Sequence, residues 1–144
     1  MRPSRIATRL APLGAALVLT ACGEAVSDEY EIEEQPYTLE ATESQDVLRV
    51  TLTEDAVEHL GIETSPVEGR GAQLVVPYDA VYLDAQGEFW VFTNTEPLVF
   101  VRAPIEIEKE TSTEAILADG PPAGTQVVTV GVPELYGAEH EFGT

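Results

Sequence analysis

A mainly β fold, a small barrel or sandwich-like domain with one short α-helix, is predicted by three observations on this 144-residue chain. Short β-prone stretches recur from Val47 onward. Clusters of Gly, Pro, Asn and Asp separate them at the spacing of turns. Only one window, 54–60, combines a helix start, an apolar stripe and a helix stop.

Each element follows from its local pattern. Leu48, Val50 and Leu52 alternate within VLRVTL, 47–52, as the buried face of a strand does. Thr53 is an N-cap, Glu54 and Asp55 suit the positive end of a helix dipole, and Gly61 ends the helix after Leu60. Ile62 to Val67 reads as a strand and Glu68 to Gly71 as a turn. In VVPYDAVYLDAQGEFWVFTN, 75–94, Asp84 to Glu88 supplies a hairpin turn between two β-prone runs. A turn at Asn94–Pro97 precedes LVFVRAPIEIEKE, 98–110, in which Ile105 and Ile107 alternate with glutamates. Ser112 to Leu117 pairs back, Asp119 to Gly124 breaks the chain, and QVVTVGV, 126–132, is the last strand. Pro133 to Tyr136 reads as a closing turn, and 137–144 as a flexible tail.

Charge divides the chain differently. There are 26 Asp and Glu against 7 Lys and Arg, a net charge of −19, which argues against binding nucleic-acid phosphate. Arg2, Arg5 and Arg9 precede the apolar run LAPLGAALVLTA, 10–21, and no acid occurs before Glu24. A basic start followed by an apolar run too short to span a bilayer is the pattern of an export signal, here 1–21. The run closes on Leu19-Thr20-Ala21-Cys22, which resembles the bacterial lipobox. That resemblance implies a thioether-linked diacylglycerol on Cys22, cleavage before it, and a cell-membrane location on the extracytoplasmic face. Several acyl chains on one cysteine anchor firmly where a single chain does not.

Residues 22–46 are expected to be a lipidated cysteine followed by an acidic disordered tether. Positions 23–46 hold nine acids and no base, and such a stretch repels itself and buries little. Without residues 1–21 the chain has four bases and 26 acids, a charge of −22, of which the domain from Val47 carries −13.

Chemical motifs are sparse. One cysteine and two histidines leave no disulfide framework and little for zinc or an iron–sulfur cluster. No Gly-x-Ser-x-Gly, HExxH, Walker or EF-hand pattern occurs, so no catalytic, cofactor-binding or metal residue is assigned. Asp55 and His59 lie four apart on the predicted helix without third and fourth ligands, and read better as a solvated pair. His140, between Glu139 and Glu141, reads as solvated too. Tyr78, Tyr82, Trp90, Phe92 and Phe100 could line a pocket, but aromatics on strands of a small domain are more often core.

Beyond the signal, the order of segments resembles the membrane-proximal domain of periplasmic adaptor proteins, the membrane fusion proteins of efflux transporters. The resemblance covers 47–136 and rests on LTEDAVEHLGIETSPVEG, 52–69, on VVPYDAVYLDAQGEFWVF, 75–92, with Pro77, Ala80, Val81 and Gly87, and on ADGPPAGTQVVTVGVPEL, 118–135, with Gly120, Gly124, Val127, Val128 and Gly131. It implies a non-enzymatic accessory lipoprotein that docks on or modulates a transmembrane efflux transporter. Full adaptors insert a barrel, a lipoyl-like domain and often a helical hairpin where Glu68 to Leu74 here joins the halves directly. The alternative is a stand-alone solute- or cation-binding surface lipoprotein.

Overall fold

The structure, a computed structural model, describes residues 35–44 and 46–141 together with Gly14. Apart from Gly14, the segment expected to be an export signal lies outside the described residues, as does Cys22. Eleven strands form two antiparallel sheets, and two helices complete the described part of the chain. The mainly β, sandwich-like expectation with a short helix holds, and neither sheet closes into a barrel.

The larger sheet runs β1 (Tyr37–Ala41), β2 (Leu48–Leu52), β8 (Val99–Pro104), β7 (Phe89–Glu96), β11 (Gln126–Val130), β3 (Glu63–Pro66), with β6 (Tyr82–Leu83) paired to the first half of β7. The smaller runs β4 (Glu68–Arg70), β5 (Gln73–Pro77), β10 (Glu114–Asp119), β9 (Glu106–Glu110). The chain passes between sheets at Val67, at a 3₁₀ turn over Tyr78–Ala80, at Ile105, and through 120–125. Val67, Ala80 and Ile105 are buried in the core between the sheets, so these crossings are packed corners, not loose connections. Val67 is also held in place by its backbone, donating to Thr125 O at 2.8 Å and accepting from Gly124 N at 2.8 Å.

The larger sheet is covered on both faces. Val91 and Val127 join Val76, Ala115 and Leu117 of the smaller sheet in one core. Their chain neighbours Phe92 and Val128 point the other way, into a core with Val50, Leu52 and Phe100 and with residues of both helices. A strand buried on both sides reads as a continuous apolar run, which is why Trp90-Val91-Phe92 shows no alternation.

Helix α1 (Glu54–Leu60) forms as its caps dictate. Thr53 Oγ1 accepts from Ala56 N at 3.1 Å, and Gly61 ends the helix at φ 62°, a left-handed conformation cheap for glycine. It buries Ala56, with Val57 and Leu60 packed alongside.

Four readings need correction. The acidic tether does not extend unbroken to Asp46, because Tyr37–Ala41 is a strand paired with β2 from Tyr37 opposite Leu52 to Ala41 opposite Leu48. Tyr37 and Leu39 alternate with exposed Thr38 and Glu40 and pack on the helix-side core, enough apolar surface to bind an otherwise acidic segment. Residues 137–141 belong to α2 (Val132–Glu141), not to a flexible tail. Pro133 sits in the first turn of α2, where a missing N–H costs no helical bond. The expected turn at 68–71 shifts to Gly71-Ala72 because Glu68–Arg70 pairs with β5. The turn after β7 likewise lies at Pro97-Leu98, where Leu98 adopts φ 65°, the only positive φ of a non-glycine among the described residues.

Gly131 joins β11 to α2 at φ 96°, and a Cβ there would lie 2.1 Å from Ile62 Cδ1. The positive φ favours glycine, and any side chain there would also have to displace the end of the Ile62 side chain.

Candidate functional site: a groove between two helices

Helices α1 and α2 lie over the same face of the larger sheet without closing it completely. Between them runs an open groove of about 410 Å³. Leu52 of β2, Ala56 and Leu60 of α1, and Leu135 and Ala138 of α2 give it apolar walls. Pro36 and Tyr37, at the start of β1, line it as well. There the Tyr37 hydroxyl donates to Glu141 Oε2 at 3.0 Å, tying the first strand to the end of the last helix. Burial, then the hydrogen bond and charge of Glu141, raise the Tyr37 phenol above its ordinary pKa, so it stays a neutral donor near neutral pH.

The charged side chains of the two helices have one sign. Glu54, Asp55 and Glu58 on α1 and Glu134 and Glu141 on α2 are exposed, and neither helix contains Lys or Arg. The basic-type side chains there are His59, at the groove, and His140.

A buried ion pair fixes α2. Glu139 Oε1 accepts from Leu48 N at 3.0 Å and lies 3.1 Å from Arg102 Nε, with the two side chains only 3% and 10% exposed. The Arg102 guanidinium also donates to the Asp46 carbonyl and stacks 4.4 Å from the centre of the Trp90 ring. Tyr82 stacks on Phe92 at 5.3 Å and meets Tyr136 of α2 edge-on at 5.5 Å. Its phenol is pushed well above the ordinary range, chiefly by burial and then by the Glu139 charge, with Arg102 opposing. A charged cluster in such surroundings places a helix specifically, since a displaced α2 would strand its carboxylate.

Trp90 is held from its other end as well. Its indole Nε1 donates to Asp84 Oδ2 at 2.8 Å, while Asp84 Oδ1 accepts from Gln86 N at 2.9 Å and Glu88 N at 2.8 Å. The Glu88 amide first, then Trp90 and neighbouring turn amides, hold the Asp84 carboxyl below its usual range against partial burial. This rigid hairpin presents Leu83 and Phe89, a cross-strand pair that stays exposed beside the Asp84 turn.

The residues singled out from sequence therefore fall in different places. Cys22 lies outside the described residues. Asp55 and His59 are both exposed on α1, and only His59 reaches the groove. Among the described residues no three His, Cys, Asp or Glu side chains gather as a metal site. His140 is stacked on Tyr136 at 3.9 Å, its Nδ1 2.8 Å from the Tyr136 carbonyl. Phe92 and Phe100 are core, Trp90 and Tyr82 belong to the polar cluster, and Tyr78 is exposed, so these aromatics line no common pocket. The groove residues Tyr37, Leu135 and Ala138 were missed, although Tyr37 with Leu39 and Leu135 with Ala138 carry strand and helix spacing.

No family model, curated protein or solved structure matches the chain. Among the described residues no helix is long and apolar enough to cross a membrane.

Proposed function

We propose that this chain is a non-enzymatic accessory lipoprotein, held by lipid on Cys22 at the extracytoplasmic face of the cell membrane, that docks on a transmembrane transporter of the efflux type. The observation that carries the reading is the apolar groove between α1 and α2. Its lining residue Pro36 is fourteen positions along the chain from Cys22, at most about 50 Å of extended backbone. A domain tethered at that range meets a partner in the same membrane at high effective concentration, so weak contacts suffice. The order of segments that resembles adaptor membrane-proximal domains points to a transporter as that partner.

The competing reading is solute binding, favoured by a groove volume within the range of small-molecule sites. Detergent extraction with chemical crosslinking and mass spectrometry separates the two. Docking predicts recovery of a permease crosslinked to this protein, with the crosslink lost in Cys22→Ser, where this protein leaves the membrane fraction and the permease stays in it. Consistent absence of a permease, with a thermal shift produced by an apolar solute alone, would favour solute binding.

A further inference from the structure

We propose, resting on that docking function, that the groove between α1 and α2 receives a partner segment that is apolar on one face and carries Lys or Arg on the flank that lies along α2. The walls Leu52, Ala56, Leu60, Leu135 and Ala138 offer nothing to a polar chain but match apolar side chains set along one face of a helix. Glu134 and Glu141 of α2 line the groove, and neither helix contains Lys or Arg, so cations along the α2 side of the partner meet complementary charge. A lipid tail would use the walls and leave the carboxylates unmatched. An anionic bilayer surface would in addition repel them. Where Tyr37 and Glu141 line the groove, a Lys or Arg replaces the neutral Tyr37 phenol on Glu141 with a charge-assisted bond, which is the stronger of the two. Docking therefore releases the contact that ties β1 to the end of α2.

The test uses the full lipidated chain in detergent and a fluorescent synthetic amphipathic peptide of Leu and Lys, with a scrambled peptide of identical composition as control. The amphipathic peptide should bind at least about tenfold more tightly than the scrambled one, and binding should weaken as salt rises. Ala138→Phe, which fills the groove without changing charge, and His59→Trp at its rim should each weaken binding about tenfold or more. Equal binding of the two peptides, or binding unchanged in both variants, would overturn the proposal. So would binding of a fluorescent free fatty acid that Ala138→Phe abolishes, because the groove would then hold acyl chains. Permease recovery that survives both variants removes the groove and leaves the docking function standing. Peptide binding that depends on the groove, with no permease recovered, keeps the groove and removes the transporter.

Discussion

Val91 and Phe92 are neighbours in β7, yet they face two different kinds of interior. On Val91's side the smaller sheet and the corners beside it cover the larger with no charged side chain in the core, Val67, Val76, Ile105, Ala115 and Leu117 being among the residues that form it. On Phe92's side two helices cover it, one held by a buried Arg102–Glu139 pair, and the cover leaves a groove. An apolar interior is stable but says little about where a helix sits, whereas a buried charge pair punishes displacement strongly. The sheet-covered face thus supports the domain, and the helix-covered face places two helices at a defined separation with an opening between them.

The largest expected effect is on the helix-covered face. Glu139→Ala leaves Arg102 buried without its counter-charge and should cost about 3–5 kcal/mol. Hydrogen exchange should find the loss of protection concentrated in α2 and β2, with β5 and β10 keeping theirs until global unfolding. Uniform loss across both sheets would mean that the two faces do not differ as described. Leu117→Ala, on the other face and only 2% exposed, should cost about 2–5 kcal/mol. Denaturant unfolding should show that cost in every probe at once, since this face has no separable cover.

How much of this was legible in the sequence varies with how far each signal reaches. Helix α1 was complete in nine residues, Thr53 to Gly61, because Thr53, the acidic first turn and Gly61 are local capping signals. The Asp84 turn was legible for the same reason, although its bond to Trp90 was not. Helix α2 was missed because its inward position 139 is a glutamate, which reads as solvated until Arg102, far away in sequence, is brought beside it. Strand β1 was missed because nine acids between 23 and 46 outweighed the short Tyr37–Leu39 alternation. The groove needs both of these elements, so it could not be seen before them.

Smaller effects sharpen the same comparison. Asp84 has a folded pKa below its unfolded one, so its stabilisation is full above the ordinary carboxylate range and is lost as pH falls through the lowered value. Asp84→Asn should lower Tm at neutral pH and flatten its decline below about pH 4. An unchanged acid limb would show that the hairpin holding Trp90 does not depend on this charge. The smallest expected change is Leu98→Gly, which relieves a left-handed leucine in the β7–β8 turn and should stabilise by about 1 kcal/mol. That turn serves the sheet shared by both faces, so the gain should appear on both equally, and a gain confined to α2 would contradict it.

The proposal that the helix-covered face meets a membrane partner has one direct test. The direct measurement places a photocrosslinking amino acid either at Ala138, in the groove, or at Lys109, exposed on β9 of the smaller sheet, in full-length protein in native membranes. Adducts to a transporter from position 138 and not from 109 are the predicted result. Transporter adducts from 109 alone, or equally from both positions, would contradict it.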